Sequence, residues 1–167
     1  MAAGPTSFAA ASPLFLREAE VRRGIELLAF GYPALLRTID AQLGVAGLGR
    51  AHHRALYFVA RQPDLTVSAL LRLLQVTKQS LGRVLGDLTE IGLVEVRVGE
   101  EDRRQRRLRL TAPGAELEAR LFEAMRERLS KAYGEAGQHA VTGFWQVLQG
   151  LIPVEDRALV ADLDRGR

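Results

Sequence analysis

The 167-residue sequence contains no cysteine. This absence excludes disulfide bonds, thiolate metal ligands, cysteine nucleophiles and thiol-based redox sensing. Histidine is also scarce: His52 and His53 are adjacent, and His139 lies far away along the chain. Because a zinc site needs three or four convergent ligands, we predict neither a metal site nor a cofactor.

Long hydrophobic runs are missing too. No stretch reaches the roughly 18 consecutive apolar residues that a membrane-spanning helix requires. Residues 1–12 carry mostly small side chains and lack the basic start and long apolar stretch of a secretory signal. We therefore expect a cytoplasmic protein in which residues 1–12 form a flexible arm.

Lysine is rare, with only Lys78 and Lys131, so the positive charge comes almost wholly from arginine. The net charge is only +3, but its distribution is uneven. From Arg97 to Arg109, six arginines stand against three acidic residues. A local cationic patch of this kind is the footprint of phosphate binding, even where the total charge is small.

The segment before this patch has the pattern of short helices joined by turns. Helices are predicted over 50–61 and 67–74, followed by a third after Thr77. Thr66 and Thr77 stand where N-caps are needed, and Gly92 is the expected C-terminal stop. Two short helices joined by a tight turn, the second amphipathic, are typical of a helix-turn-helix. The apolar stripe of that second helix consists of Leu81, Val84, Leu85, Leu88 and Ile91.

A β-hairpin is predicted directly after these helices. Valines alternate with charged residues over 94–98, and leucines alternate with arginines over 107–110. The turn between the two strands begins at Gly99. A helix followed by a hairpin with a cationic tip is the layout of a winged helix-turn-helix. Such a helix can enter the major groove of DNA, and the tip can reach the backbone or the minor groove.

Long amphipathic helices are predicted on both sides of this unit. The first should begin at Ser12-Pro13, and Pro33 should kink or split it. Its apolar face is made of Ile25, Leu28, Tyr32, Leu35, Ile39 and Leu43. After the hairpin, Thr111 should cap a helix that Gly134 and Gly137 break. Further helical segments run from about residue 139 to Pro153 and over 154–163.

These flanking helices cannot all bury their apolar faces on a small winged unit, so a dimer interface is expected. We predict a mainly α fold, a winged helix-turn-helix with flanking dimerisation helices. Its parts are an N-terminal dimerisation helix (13–49), the DNA-binding unit (50–111) and C-terminal dimerisation helices (112–167).

The order of these elements resembles that of the MarR family of bacterial transcription regulators. The similar segments are VTKQS at 76–80, LTEIGLV at 88–94, DRRQR at 102–106 and LRLT at 108–111. The resemblance covers about residues 20–160. It implies a triangular homodimer with interleaved N- and C-terminal helices. Each winged unit would read one half of a palindromic operator, with recognition helices about 34–36 Å apart.

The start of the recognition helix carries the expected base contacts. Glutamine suits adenine, arginine and lysine suit guanine, and serine or threonine can serve bases or phosphates. The predicted DNA-contacting residues there are Thr77, Lys78, Gln79, Ser80 and Arg83. The alternative is that these side chains form an ordinary solvated helix face.

In the wing, the resemblance implies separate roles for neighbouring residues. Arg104 corresponds to the family's wing-tip arginine that enters the minor groove, and Asp102 to the acid that fixes its geometry. A carboxylate can pin a neighbouring guanidinium through a bidentate pair. We expect Arg103, Arg106 and Arg107 to contact phosphates or to pair with nearby acids; a solvated charge run is the alternative for these three.

The resemblance further implies that a small aromatic or phenolic effector relieves repression. Its pocket would lie between the dimer helices and the DNA-binding unit. Candidates are His53 and Tyr57, which share a helix face at i, i+4, together with His52 and Arg22. Neighbouring helix residues point about 100° apart, so His52 and His53 cannot both line one small site. The alternative is a histidine packed at this junction with a satisfied hydrogen bond.

Two other functional classes compete with this interpretation. An enzyme is disfavoured because the sequence has no phosphate-binding glycine loop, nucleophile elbow or paired metal carboxylates. A winged-helix protein–protein interaction module without DNA binding is the stronger alternative. We predict a sequence-specific regulator that binds double-stranded DNA as a homodimer, most simply as a ligand-responsive repressor.

Overall fold

The computed structural model describes residues 16–99 and 105–165. The chain divides into two units, one ending at Leu35 and the other beginning at Leu36. The described residues are mainly helical, with one small antiparallel sheet. The predicted fold class, a mainly α winged helix-turn-helix, is confirmed.

The helices follow the predicted order, and the last segment, predicted as helical over 154–163, is a 3₁₀ turn followed by a short helix. The helices are α1 (Glu18–Val45), α2 (Arg50–Arg61), α3 (Val67–Leu74), α4 (Lys78–Glu90), α5 (Ala112–Ala136), α6 (Gln138–Leu151) and α7 (Arg157–Arg165). The strands are β1 (Leu65–Thr66), β2 (Val94–Val98) and β3 (Arg106–Leu110). A 3₁₀ turn, Val154–Asp156, separates α6 from α7.

The sheet has the strand order β1-β3-β2, with both pairs antiparallel. Leu108 on β3 stands opposite Leu65 on one side and Val96 on the other. The hairpin was predicted, but β1 was not. With two residues, β1 is too short to show an alternating pattern, and it exists because β3 offers a free edge. Thr66 therefore belongs to a strand and also caps α3.

One continuous core holds the winged unit together. It joins α2, α3, α4 and β3 to the second half of α1 and the first half of α5. Its completely buried leucines are Leu43, Leu56, Leu70, Leu88, Leu108 and Leu121. Each such side chain stabilises the fold by about 1.5–3 kcal/mol relative to exposure. Helix α4 is thus fixed on a packed base through Leu81, Leu85 and Leu88.

Three threonines cap helices as predicted. The Oγ1 atoms of Thr66, Thr77 and Thr111 accept hydrogen bonds from backbone N–H groups at 3.1, 3.2 and 3.1 Å, respectively. Each bond satisfies a donor that the helix itself leaves unpaired. Thr111 also donates its hydroxyl hydrogen to the carbonyl of Gly92 at 2.6 Å. This side chain therefore joins the end of α4 to the start of α5.

Gly114 occupies a position that no larger residue can take without movement. A Cβ atom there would lie 2.0 Å from the backbone oxygen of Leu93. The absence of a side chain lets the first turn of α5 pack directly on the segment between α4 and β2. No local sequence pattern indicated this close approach.

Three expectations about the helices are wrong. Of the two outcomes predicted for Pro33, a kink or a split, the split does not occur, because α1 continues through Pro33; one missing N–H bond leaves the rest of a long cooperative helix intact. Gly134 lies within α5, and Gly137, with φ +79°, ends it, because an internal glycine costs only about 1 kcal/mol. Ile91 is half exposed, since it stands beyond the last turn of α4. The predicted start at Ser12-Pro13 lies outside the described residues.

The third wrong expectation concerns the apolar face of α1. Ile25 and Tyr32 are 62% and 57% exposed, whereas Ile39 and Leu43 are buried as predicted. The same helical spacing thus continues from a buried stretch into an exposed one. Periodicity reports which residues share a face, and it does not report whether the same chain covers that face.

Helix α6 also leaves its apolar side chains uncovered. No residue of α6 is buried, and Trp145 is 51% exposed. Trp145 donates its indole N–H to the hydroxyl of Tyr133 on α5 at 2.9 Å, and Phe144 packs edge-on against the same ring. The contact with α5 therefore orients α6 without burying its apolar surface.

Candidate nucleic-acid interface

The predicted base-contacting residues share the exposed N-terminal part of α4. All five are exposed: Thr77, Lys78, Gln79, Ser80 and Arg83. Thr77 donates its hydroxyl hydrogen to Ser80 Oγ at 2.9 Å while capping the helix, so its own side chain is already engaged. The side chains of Lys78, Gln79 and Arg83 make no hydrogen bond within the part of the chain that the structure describes. These three side chains are therefore free to approach a ligand.

Two glycines next to these residues leave part of the exposed surface of α4 without side chains. Gly82 and Gly86 are exposed, and a Cβ atom at either position would meet nothing within 4 Å. Packing inside the described chain therefore does not require glycine at these sites. A ligand lying along α4 could therefore approach the helix backbone closely at these two positions.

The wing is defined up to the two ends of its tip. The hairpin closes with the N–H of Gly99 donating to the carbonyl of Gln105 at 3.0 Å. Asp102, Arg103 and Arg104 fall outside the described residues. The roles predicted for these three residues stay predictions.

The described arginines of the cationic patch differ in their surroundings. Arg97 pairs with Glu95 at 2.6 Å, and Arg109 pairs with Asp64. Arg106 is exposed, whereas Arg107 is half-buried, and its Nε atom is enclosed without a hydrogen-bond partner in the described chain. Among the described arginines of this patch, Arg106 and Arg107 are thus the two that form no direct ion pair with an acid of the described chain, although Arg107 is close enough to help lower the pKa of Asp64.

The pair between Asp64 and Arg109 connects the wing to the helix-turn-helix. Arg109 Nε lies 3.2 Å from Asp64 Oδ1, and its Nη2 contacts the second carboxylate oxygen. Hydrogen bonding to Arg109 lowers the pKa of the Asp64 carboxyl, and the same bond raises the pKa of the guanidinium. Asp64 has φ +65°, a conformation that aspartate tolerates better than most residues. Sequence reasoning missed this pair because its members are 45 positions apart.

His52 links α2 to the recognition helix. Its Nδ1 accepts the backbone N–H of Gly49 at 3.0 Å, and its Nε2 lies 3.0 Å from Asp87 Oδ2. Since Nδ1 acts as an acceptor, the ring proton of the neutral form resides on Nε2 and is donated to Asp87. His52 therefore faces α4, away from the other effector candidates on α2.

His53 and Tyr57 lie next to each other, as their spacing predicts, with ring centroids 6.3 Å apart. His53 is only 5% exposed, and neither ring nitrogen has a hydrogen-bond partner among the described residues. Burial lowers the pKa of this imidazole. The satisfied hydrogen bond of the alternative interpretation is thus not found in the described chain. Arg22 belongs to the first unit, where it pairs with Glu18 at 2.6 Å.

Other kinds of site were sought in the described chain. Residues 16–99 and 105–165 contain no group of three or more histidine, aspartate or glutamate side chains that could hold a metal ion. No described helix is both long enough and apolar enough to cross a membrane.

Comparison with known proteins identifies relatives of the whole chain. A sequence model of the MarR family matches residues 46–105, from the end of α1 through the wing tip. The HTH-type transcriptional regulator PetP of Rhodobacter capsulatus is 50% identical over 139 residues, which span 83% of this chain and 84% of that protein.

Solved structures share the fold at low identity. A mutant MarR from E. coli, complexed with operator DNA, is 20% identical with a TM-score of 0.64, over 85% of this chain and 100% of that one. NadR in complex with 4-hydroxyphenylacetate is 23% identical with a TM-score of 0.65, over 90% and 99% of the two chains. A helix-turn-helix regulator is identical to this chain at half of the aligned residues, and the alignment spans most of both sequences. The chain therefore belongs to the MarR family of DNA-binding transcription regulators, which are not enzymes.

Proposed function

We propose that this protein is a homodimeric repressor that binds a palindromic operator through α4 and the wing and responds to a small ligand. The observation that carries the proposal is the exposed N-terminal face of α4. Lys78, Gln79 and Arg83 stand there without described hydrogen-bond partners beside Gly82 and Gly86. A rigid element that offers free polar side chains on a slim surface suits insertion into a major groove.

Within this proposal, α4 reads bases and the wing sets affinity. Arg83 and Lys78 would bond to guanine edges, and Gln79 to adenine. Ser80 is placed for a base or a phosphate, and Thr77 acts mainly as the cap that holds this turn. Arg106 and Arg107 are proposed as phosphate contacts. At the tip we keep the assignment of Arg104 to the minor groove, with Asp102 bracing it and Arg103 near the backbone.

The proposed dimer uses the apolar surface that the single chain leaves exposed. Trp145 and Leu151 on α6 are more than half exposed, as are Ile25 and Phe30 in the first unit. Large exposed apolar surfaces mark interaction sites in soluble proteins. A second copy is the occupant that fits, because a two-fold dimer presents two recognition helices to the two halves of a palindrome.

The proposed effector site centres on His53 and Tyr57. A buried imidazole with two unpaired nitrogens costs about 1–3 kcal/mol, and a phenol or carboxylate could satisfy it. NadR, which shares the fold, is complexed with 4-hydroxyphenylacetate, a ligand that carries both groups. Arg22 and His52 were also predicted for this site, but each already has partners, Glu18 for the first and Gly49 with Asp87 for the second. A small aromatic acid or phenol is therefore the proposed effector class, acting on a cytoplasmic regulator.

The first test is a pull-down of genomic fragments with the purified protein, followed by titration of the recovered site. Several phosphate contacts per subunit should give a log–log salt dependence with a slope of several units. A flat slope, or early elution from heparin in a salt gradient, would favour the protein–protein module. Light scattering gives the mass of the species that binds, and a reporter gene gives the sign of regulation.

The effector is tested on the same complex. Titration with a panel of aromatic acids and phenols should release the operator from the wild-type protein. Tyr57→Phe, which removes one hydroxyl and keeps the ring, should respond less. Equal release of wild type and variant by every compound would exclude the Tyr57 hydroxyl from the site.

A further inference from the structure

The C-terminal segment 154–163 reaches back to the helix-turn-helix at two points. Gln75 Nε2 donates to Asp156 Oδ2 at 2.8 Å, and Arg61 Nη2 donates to the backbone carbonyl of Leu163 at 2.8 Å. The partners in these bonds are 81 and 102 positions apart in the sequence. Arg61 ends α2 and Gln75 follows α3, so the two bonds fall before and after the first helix of the helix-turn-helix.

The segment presents a defined face to these partners. Asp156, Leu159 and Leu163 are half-buried, whereas Glu155 and Val160 are exposed. The three half-buried residues follow the i, i+3, i+7 spacing of one helix face. In the turn before them, the N–H of Asp156 donates a hydrogen bond to the carbonyl of Pro153 at 3.0 Å. The direction in which the segment leaves α6 is therefore set locally.

The site that Asp156 contacts is the turn in front of the recognition helix. Gln75 has φ +53°, a conformation that non-glycine residues occupy only where the surroundings hold them. From the other side, Arg54 on α2 donates to the carbonyl of Leu74 at 2.9 Å. The turn is thus fixed by α2 and by the C-terminal segment together. Thr77, the cap of α4, follows it two residues later, so a displaced turn would move Lys78 as well.

We propose that the segment 154–163, here called the C-terminal strap, positions the helix-turn-helix for operator binding, with Gln75 and Asp156 as positioning residues. The inference rests on the proposed role of α4 in reading DNA. The strap continues from α6, whose apolar side chains are exposed. A change in the position of α6 would therefore pull on the turn that leads into α4, and operator affinity would depend on a segment that does not itself contact the bases.

The test measures operator affinity by fluorescence anisotropy with the full-length protein. Asp156→Ala and Gln75→Ala should each weaken binding by about 2- to 10-fold, the range for one solvent-accessible hydrogen bond. The double variant should be no weaker than the weaker single variant, because both remove the same bond. Asp156→Asn keeps an acceptor oxygen and should restore affinity close to that of the wild type.

Glu155→Ala is the matched control. It removes the same charge one residue away, and Glu155 is exposed and makes no hydrogen bond in the described chain. It should bind equally well or slightly more tightly, since the protein then carries one negative charge fewer to repel the phosphates. The thermal unfolding midpoint of every variant is measured beside its affinity.

Three results would overturn the strap. The first is equal affinity of Asp156→Ala and Glu155→Ala. The second is multiplication of the two single effects in the double variant, and the third is a lowered unfolding midpoint with unchanged affinity. Arg83→Ala separates this from the proposed function: if it weakens binding while the strap variants do not, only the strap fails. If Arg83→Ala binds like the wild type, the role of α4 itself is wrong.

Discussion

Asp64 and Arg109 form a two-point ion pair that joins the turn after α2 to the strand that leads out of the wing. Because Arg109 lowers the pKa of the Asp64 carboxyl below its ordinary value of 3.8, the folded state prefers the ionised form. The pair therefore contributes stability that is fully present above this ordinary pKa and is lost as the pH falls through the lower pKa of the folded state.

Asp64→Asn should remove this contribution. We expect the difference in unfolding free energy between wild type and variant to be constant near neutral pH and to shrink only below about pH 4. Urea unfolding across the pH range measures it. Arg126→Ala, which breaks a local pair with Glu123 on one helix, is the control for a surface ion pair. A difference that vanishes already at about pH 6 would contradict the assignment to Asp64.

Gly114→Ala should be among the most destabilising single-methyl changes in the described chain. The added Cβ would meet the Leu93 carbonyl at 2.0 Å, so backbone has to move, at a cost of about 3 kcal/mol. Gly134→Ala is the matched change in the same helix, where a Cβ meets nothing within 4 Å. It should stabilise by about 0.5–1 kcal/mol. Urea unfolding at one protein concentration compares both, and equal effects would argue against the close approach.

His53→Leu should raise stability and abolish the effector response. The change removes a buried imidazole that lacks partners, which costs about 1–3 kcal/mol, and keeps a side chain of similar bulk. Thermal unfolding and ligand release of the operator complex are the two readouts. A destabilised variant would mean that His53 has a partner in the assembled protein.

The same residue predicts a pH dependence. Burial lowers the pKa of His53 below its ordinary value of 6.5, so the unfolded chain binds a proton more readily than the folded chain. Stability should therefore fall as the pH drops below about 6.5 and continue to fall until the folded pKa is reached. In His53→Leu this part of the slope should disappear, and a slope equal to that of the wild type would contradict the assignment to His53.

Arginines of α4 and of the wing should differ in what they contribute to binding. Arg83→Ala should cost about 1–3 kcal/mol and relax the preference at one base pair, whereas Arg106→Ala should weaken all sequences alike and lower the salt slope by about 1. Arg128→Ala removes the same charge from an exposed position on α5 and is the control. Titrations over several salt concentrations and single-base operator variants distinguish them. Loss of specificity in Arg106→Ala would reverse the two roles.

Arg104→Ala should weaken operator binding roughly tenfold or more and leave folding intact, as expected for a side chain placed in the minor groove. Gel-shift titration and circular dichroism provide the two measurements. Arg104→Lys keeps the charge but not the planar guanidinium and should recover only part of the affinity. Unchanged affinity of Arg104→Ala would remove the wing tip from the interface.

The helix-turn-helix could be predicted almost to the residue because its signals are local. Thr66 and Thr77 are caps whose partners lie three positions away, and Gly92 ends α4 with φ +72°. The two contacts that sequence reasoning missed in this unit depend on distant parts of the chain. Strand β1 needs β3, and the Asp64–Arg109 pair joins separate elements.

Exposure was the harder quantity to predict. Ile25 and Ile39 obey the same helical spacing, yet one is exposed and the other is completely buried. A residue's spacing defines its face, and only the surrounding structure decides what covers that face. In the candidate site, the sequence predicted which residues share the exposed start of α4, and their role in binding stays a prediction. The structure was needed to show that Thr77, Arg97 and Arg109 bond to other groups.

The hydrogen bonds of Thr111 connect the end of α4 to the start of α5. Its hydroxyl donates to the carbonyl of Gly92 at 2.6 Å and accepts a hydrogen bond from the N–H of Gly114 at 3.1 Å. Its own N–H donates to the carbonyl of Leu93 at 3.1 Å. Two hydrogen bonds therefore connect the N-cap of α5 directly to the segment that follows α4. Helix α5 is 25 residues long, and its N-cap is bonded to the segment after α4. A tilt of α5 would therefore be transmitted to the end of α4. Thr111→Val keeps the shape of the side chain but removes its hydrogen bonds with Gly92 and Gly114. It should therefore weaken this connection.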